Sequence, residues 1–203
     1  MKDEYLVFTG RPNSGKSSII RAITGLDVAS GKRPGTTRRI SEYSLSRGLT
    51  LVDMPGYGRM TGASRSTEDR TKDEVLEFLE SNAGRIALAV HVLDIFTFRE
   101  VTRRLERKGL ISVDVEMILF LGELLEEGPI VAANKVDKAD QVEREEALAE
   151  LKVLIGGESI LFFNRIFPVS ARTGEGLGEL KSAIHGRLVE KGFRTPFKLW
   201  VGS

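Results

Sequence analysis

Short apolar runs recur along the chain and predict the strands of a sheet. Most of them are continuous, which is typical of strands that are covered on both faces. The segment Arg39–Ser46 instead alternates apolar and polar residues, as a half-exposed strand does. The run Ile160–Phe163 is ambiguous between helix and strand. The continuous runs are Tyr5–Phe8, Leu49–Val52, Ile86–Leu93, Ile130–Ala133 and Ile166–Val169.

Segments with apolar residues at helical spacing lie between these runs. Ser17–Thr24 predicts a helix that Gly25 ends, and Ser66 with Asp69 resembles a capping box at the start of a second helix. Asp114 is a candidate cap for a third helix, which ends before Gly128 and Pro129. The apolar positions of two later helices are Val142, Leu148, Leu151 and Ile155, followed by Leu177, Leu180, Ile184 and Leu188.

The alternation of strands with helices predicts an α/β fold. Consecutive parallel strands need crossover connections, so we expect a mostly parallel sheet of six strands with helices on both faces. In such a sheet, ligands bind where the strands end at their carboxyl termini. The residues that directly follow the predicted strands are therefore the first candidates for a functional site.

Composition narrows the possible classes of protein. The chain has 203 residues, which suits one domain, and its 30 basic residues balance 29 acidic ones, which argues against binding nucleic acid by bulk charge. It has no cysteine, which excludes disulfides, thiolate metal sites and a thiol nucleophile. The charged start of the chain and the shortness of its longest apolar run, Ile86–Ile95, predict no secretory signal and no membrane span. We expect a cytoplasmic protein without a membrane partner.

A phosphate-binding loop follows the first predicted strand. Residues Gly10–Ser17 match GxxxxGK[ST] and precede a predicted helix, which is the context that this motif requires. Backbone N–H groups of such a loop point at phosphate oxygens, Lys16 would neutralise the β- and γ-phosphates, and the Ser17 hydroxyl would bind Mg²⁺. The residues expected to contact the nucleotide here are Gly10, Arg11, Pro12, Asn13, Ser14, Gly15, Lys16, Ser17 and Ser18.

Two further motifs follow strands. In Asp53-Met54-Pro55-Gly56, the carboxylate can hold the hydration shell of Mg²⁺ and the Gly56 N–H can meet a γ-phosphate. In the motif that begins at Asn134, the Asp137 carboxylate can accept two hydrogen bonds from guanine, a pair of donors that adenine lacks.

The remaining groups of this base site have supporting roles. We expect Asn134 to tie its loop to the phosphate loop and the stem of Lys135 to cover the base. The tripeptide Ser170-Ala171-Arg172 would close the other side, with the Ala171 N–H directed at the guanine O6.

Together these motifs resemble the translation-factor-like class of small GTP-binding domains, and within it Asp53–Gly58 resembles the DxPGYG of EngB/YihA-type ribosome-assembly GTPases. Arg59 and Met60 depart from the residues that often follow PGYG, and the chain is nearest the archaeal branch. The resemblance implies a P-loop GTPase domain over residues 1–192, followed by a short basic and aromatic tail over residues 193–203.

The resemblance also implies how GTP is hydrolysed. Thr37 in the first switch is the expected Mg²⁺ ligand of the GTP state, with Thr36 as the alternative. Tyr57 stands where many GTPases have a water-orienting glutamine, a role that its distant hydroxyl cannot fill. Some related GTPases use K⁺ held by an asparagine of the phosphate loop, here Asn13, unless Asn13 only braces that loop. The residues expected to act in slow, K⁺- or partner-stimulated hydrolysis are Asn13, Lys16, Thr37 and Gly56.

Local clusters of basic residues suggest RNA as a partner. Thr97–Lys108 carries five cations against two acids, and Lys181–Lys198 carries five against one, interleaved with Phe193, Phe197 and Trp200. Solvated helix faces and a tail packed on the core are the alternatives. The cations that flank the first switch are Lys32, Arg33, Arg38 and Arg39.

We therefore expect a monomeric GTPase switch that assists assembly of the large ribosomal subunit and binds precursor particles or rRNA, with no DNA partner. The first alternative is a stand-alone relative of the GTPase domains of tRNA modification or metal transport. The second is a GTP-controlled scaffold of low turnover.

Overall fold

The computed structural model describes residues 3–28, 39–58, 65–156 and 165–197, without the side chains of residues 65–68. Their centre is a six-stranded sheet in the order β2-β3-β1-β4-β5-β6. Only β2 runs antiparallel to its neighbour, so the predicted, mostly parallel sheet is confirmed. The strands are β1 (Glu4–Gly10), β2 (Ser41–Ser46), β3 (Leu49–Asp53), β4 (Ile86–Asp94), β5 (Ile130–Asn134) and β6 (Ile166–Val169).

Helices cover both faces of the sheet. One face packs on α1 and α6, whose buried residues include Ile19 and Ile184. The other face packs on α2 to α5 through two separate apolar clusters. The helices of the described residues are α1 (Lys16–Thr24), α2 (Arg65–Ser81), α3 (Ile95–Glu106), α4 (Val113–Leu124), α5 (Gln141–Leu154) and α6 (Leu177–Glu190).

The two-sided packing explains why the central strands are apolar at every position. Successive side chains of a strand point to opposite faces. In β1, Leu6 and Phe8 join the cluster under α1 and α6, whereas Tyr5 and Val7 join the cluster under α2 and α4. A strand with a helical layer on each side therefore has no polar face.

The structure corrects several local predictions. The helix α3 has no counterpart in the predicted elements. Ser66 cannot cap α2, because that helix already includes Arg65. Val142, one of the apolar positions that predict α5, is exposed, and Asp140 forms the capping box of that helix with Glu143. The ambiguous run Ile160–Phe163 lies outside the described residues.

Asp114 is a further correction, because Ser112 and not Asp114 stands at the N-cap of α4. Asp114 lies in the first turn of the helix and is almost completely buried. A buried carboxylate is stable only with partners, and it contacts Arg11 and His91. The tertiary contacts thus give Asp114 a role that the local capping pattern does not show.

The sheet register aligns the carboxyl ends of five strands at one edge. Phe8 of β1 lies opposite Asp53 of β3, and Asp94 of β4 lies opposite Asn134 of β5. Asn134 in turn lies opposite Val169, the last residue of β6. The polar residues that end these strands are therefore brought within reach of the loop that follows β1.

Candidate nucleotide-binding site

The phosphate loop connects the end of β1 to the start of α1. Gly15 occupies the N-cap of α1 with a φ of 94°, a conformation that favours glycine. A Cβ atom on Gly15 would lie 2.1 Å from Nδ2 of Asn134, so a side chain there would have to displace the Asn134 amide. The loop therefore ends at a helix N-terminus, a place that suits phosphate, and the Asn134 amide lies directly against it.

Lys16 and Asp53 form a buried ion pair. The Lys16 ammonium donates to Oδ1 of Asp53, and both side chains are buried. Burial lowers the pKa of Lys16, and the Asp53 carboxylate opposes that shift. Lys16 and Asp53 are the residues predicted to meet the phosphates and the hydrated metal, so the fold places these two roles side by side.

The donors near this pair suit Mg²⁺. Ser17 supplies a half-buried hydroxyl in the first turn of α1, and Asp53 supplies a carboxylate at the end of β3. Both are hard oxygen donors of the kind that Mg²⁺ prefers. Thr37 and its alternative Thr36, the predicted ligands from the first switch, lie outside the described residues.

Gly56 lies directly against the phosphate loop. A Cβ atom on Gly56 would lie 2.8 Å from the backbone nitrogen of Pro12, so the two backbones are as close as they can be. The expected contact of the Gly56 N–H with a γ-phosphate requires this proximity. The turn after β3 and the turn after β1 therefore form one surface.

Tyr57 is not exposed on that surface. Its side chain is fully buried in the cluster that also contains Val7 and Met54. Burial raises the pKa of Tyr57 well above its usual value, and the Asp114 carboxylate adds to the rise. The hydroxyl lies near Thr9, which opposes the shift, but has no hydrogen bond of regular geometry in the described residues. Tyr57 thus takes no part in orienting a water molecule in this conformation.

Asn134 joins three loops. Its amide nitrogen donates to the carbonyl of Ser14 over 2.8 Å, which is the predicted tie to the phosphate loop. Its amide oxygen accepts the backbone N–H of Ala171 over 3.0 Å. This second bond uses the N–H expected to meet the guanine O6, so base binding must share or exchange it.

Asp137 is held ready to accept hydrogen bonds. The Ser170 hydroxyl donates to Oδ1 and the Arg172 Nε donates to Oδ2 over 2.7 Å. These contacts, first that of Ser170 and then that of Arg172, lower the pKa of Asp137. The carboxylate is therefore ionised at neutral pH, as recognition of two guanine N–H groups requires. The predicted tripeptide contributes Ser170 and Arg172 as partners of this carboxylate.

Lys135 bridges the base loop to the phosphate loop. Its ammonium donates to the carbonyl of Asn13 and to Oδ2 of Asp94, and each donor–acceptor distance is 2.6 Å. The contact that braces the phosphate loop therefore uses the main chain of Asn13, whose side chain is exposed. Asp94 is a site residue that the sequence prediction missed. Its position at the end of β4, like that of Asp53 on β3, was the available signal.

A buried polar network behind the phosphate loop was also missed. Arg11 lies 3.5 Å from Oδ2 of Asp114, whose Oδ1 is 3.2 Å from Nε2 of His91. The other ring nitrogen of His91 is 3.0 Å from the Thr9 hydroxyl. No sequence motif marks this set, because its members come from the phosphate loop, two strands and α4. The network gives both ring nitrogens of the buried His91 a polar partner.

For Phe197, the structure supports the alternative of a tail packed on the core. This side chain is buried in the core beside His185, with ring centroids 6.2 Å apart, so it cannot stack on a base. Trp200, Lys32, Arg33 and Arg38 lie outside the described residues.

Neither a metal-binding cluster nor a membrane helix occurs in the described ranges. Among those residues, no three His, Cys, Asp or Glu side chains come together as metal ligands. Within the same ranges, no helix is long and apolar enough to cross a membrane.

Comparisons with known proteins agree with this geometry. Residues 5–135 match the family model described as 50S ribosome-binding GTPase. The probable GTP-binding protein EngB of Methanopyrus kandleri is 43% identical over 93% of this chain and 94% of its own length. Its counterpart in Pyrococcus abyssi is 38% identical over 92% of this chain and 86% of its own length.

A solved structure extends the comparison to the fold. The crystal structure of a probable GTP-binding protein engB superposes with a TM-score of 0.80 and 35% identity, covering 92% of this chain and 99% of that one. These matches to EngB proteins argue against the alternative of a GTPase domain related to those of tRNA modification or metal transport. The chain belongs to the EngB family of GTP-binding proteins, within the 50S ribosome-binding GTPases.

Proposed function

We propose that this protein is a GTP-hydrolysing switch that assists assembly of the large ribosomal subunit. The observation that carries the proposal is the juxtaposition of the phosphate loop, the Asp53–Gly58 turn and the guanine-reading Asp137 at one sheet edge. The description of the matching family as 50S ribosome-binding supports the ribosomal partner. The partner would be a large-subunit precursor or its rRNA, and the place of action would be the cytoplasm, where such precursors assemble.

The chemistry rests on position and charge. The phosphate loop and Lys16 would bind the β- and γ-phosphates, Gly56 would donate to the γ-phosphate, and Asp137 would select guanine. Ser17, Asp53 and Thr37 would hold Mg²⁺, which supplies positive charge to the phosphate oxygens when it is bound. No side chain of the described site forms a nucleophile with an adjacent base, so water is the expected nucleophile.

Hydrolysis without a stimulating factor would be slow. Tyr57 occupies the position of the usual water-orienting glutamine, and its ring is fully buried. The side chain of Asn13 is exposed on the phosphate loop and is the candidate ligand for K⁺. A bound K⁺ would supply positive charge near the transferred phosphoryl group, and a ribosomal partner could do the same.

The hypothesis of K⁺ stimulation is tested by turnover in KCl and in NaCl at equal ionic strength. We expect faster GTP hydrolysis in KCl, and Asn13→Ala should remove the difference while GDP affinity is retained. Equal rates in the two salts, with Asn13→Ala unchanged in both, would rule out the K⁺ hypothesis and leave partner stimulation.

The ribosomal proposal is tested by sedimentation of cell extract through a sucrose gradient. The protein should migrate with large-subunit precursors in the presence of a non-hydrolysable GTP analogue and leave them in GDP. Asp137→Asn, which should no longer bind GTP, is the matched control and should stay at the top of the gradient in both. Absence of the wild-type protein from all ribosomal fractions in both nucleotides would contradict the proposal.

A further inference from the structure

Among the described residues, the cations on α3 and directly after it divide into a group with ion pairs and a group without them. Arg99 donates to Glu150 over 3.0 Å and also pairs with Glu146, both on α5, and Arg103 lies 3.7 Å from Glu150. These two arginines are therefore neutralised by the neighbouring helix. Arg104, Arg107 and Lys108 are exposed, and no carboxylate of the described residues lies within ion-pair distance of them.

Two aliphatic side chains follow this second group. Leu110 is 52% exposed and Ile111 is 67% exposed, the latter more than almost any other large apolar side chain of the described residues. We call the set of Arg104, Arg107, Lys108, Leu110 and Ile111 the α3 tip. Glu106 is the one acid within the span from Arg104 to Ile111, so the tip has an excess of positive charge.

The α3 tip is connected to the nucleotide site through the start of α4. Val113, two residues after Ile111, lies beside the turn that follows β3. A Cβ atom on Gly58 of that turn would be 3.7 Å from Val113 Cγ1. The next residue, Asp114, pairs with Arg11 of the phosphate loop over 3.5 Å. Gly58 and Arg11 therefore lie against the first two residues of α4, which are within three residues of the tip.

We propose that the α3 tip is the surface on which this protein binds the phosphate backbone of ribosomal RNA, and that nucleotide state adjusts this surface through Val113 and Asp114. This inference rests on the proposed ribosomal function. Unpaired cations are the groups that release counterions on contact with phosphates, and three of them lie within five residues. The aliphatic pair lies beside the cations, where ribose and base edges would cover it.

Charge and packing favour RNA over a lipid surface. A helix that lies on a membrane presents a continuous apolar face to it. The apolar residues of α3, such as Ile95 and Phe98, are instead buried against the sheet and α5. Only Leu110 and Ile111 remain, which is too little apolar surface for stable anchoring.

Three cations of the other basic cluster, on and directly after α6, are less available. On α6, Arg187 pairs with Glu127 and Glu190, and the next residue after that helix, Lys191, lies 3.7 Å from Glu127. Lys181 lies over the ring of Phe197. The sequence alone marks both basic clusters, and the ion pairs distinguish them.

The test compares two triple variants that remove the same charge. Arg104→Gln, Arg107→Gln and Lys108→Gln alter the tip, whereas Lys181→Gln, Arg187→Gln and Lys191→Gln alter α6. The probe is a large-subunit rRNA transcript, titrated at several KCl concentrations with GDP or a non-hydrolysable GTP analogue. Thermal unfolding and GDP affinity verify that each variant is folded and keeps its nucleotide site.

We expect the tip variant to lose about two to three units of slope in the plot of log affinity against log salt, and to bind roughly tenfold or more weakly, while the α6 variant changes little. Wild-type affinity should differ between the two nucleotides, and Val113→Ala should reduce that difference. An unchanged slope in the tip variant, or loss only in the α6 variant, would overturn the assignment of the surface. Loss of binding to anionic lipid vesicles without any change in RNA binding would overturn the choice of partner.

These outcomes separate the two proposals. If the wild-type protein binds the transcript in neither nucleotide state, the RNA contact of the proposed function fails and the tip assignment fails with it. If the wild-type protein binds and the tip variant binds equally well, only the tip assignment is wrong. Equal wild-type affinity in the two nucleotide states would refute the coupling through α4.

Discussion

Replacement of Asp137 by asparagine should change the base that the site accepts. The Asp137 side chain is 7% exposed and receives hydrogen bonds from Ser170 and Arg172, so its orientation is already determined before a base arrives. Guanine would add two N–H donors to this carboxylate. Hydrogen bonds to a charged group contribute about 1.5–3 kcal/mol each, or roughly 3–6 kcal/mol for two. Asp137→Asn should therefore weaken GDP binding by roughly 10²- to 10⁴-fold.

The same variant should bind xanthosine diphosphate, because the asparagine NH₂ can donate to the xanthine oxygen that replaces the guanine amine. The assay is equilibrium titration of fluorescent GDP and xanthosine diphosphate, with ADP as a third ligand. Arg172→Met is the matched control, since it removes a mostly exposed partner of Asp137 and leaves the carboxylate in place. Unchanged GDP affinity in Asp137→Asn, or wild-type affinity for ADP equal to that for GDP, would refute the assignment of the base site.

The pH dependence of GDP binding follows from the lowered pKa of Asp137. Since this carboxyl stays ionised until the pH falls below its usual value near 3.8, its contribution to GDP affinity should be constant from pH 8 to pH 5. Arg172→Met should raise the pH at which affinity begins to fall, measured by the same titration. Asn134→Ala should reduce both the free energy of unfolding and GDP affinity by about 2–4 kcal/mol, because Ser14 and Ala171 lose partners in a buried place; Asn82→Ala, remote from the nucleotide site, should affect unfolding only. Tyr57→Phe should leave the free energy of unfolding equal or higher below pH 9. Above pH 10 it should reduce the alkaline loss of stability, since the unfolded tyrosine ionises there while the buried one stays neutral. Urea titrations at several pH values would measure both effects, and an alkaline loss as steep as that of the wild type would contradict them.

The nucleotide-binding parts of this protein are determined by short segments of sequence. A phosphate loop needs glycines, a lysine and a helix start within eight residues, and these requirements are local. The strand ends that present Asp53 and Asn134 follow from apolar runs of four or five residues, which is why the order of strands and motifs predicts the position of the site. The sequence pattern did not predict the helix α3, because its apolar residues, such as Ile95 and Phe98, are few among many charged residues.

The pairing of distant side chains was decided by tertiary structure alone. Asp114 fits a cap by its place in the sequence, but packing of α4 on β4 buries its carboxylate against Arg11 and His91. Whether an arginine of α3 is paired likewise depends on its distance from α5. Glu150 of α5 neutralises Arg99, whereas the tip cations have no ion pair within the described residues. Charge and polarity are properties of single residues, whereas desolvation and pairing depend on which elements meet. The sequence by itself therefore determined which chemistry the protein carries, and the fold decided which of its charges face a ligand.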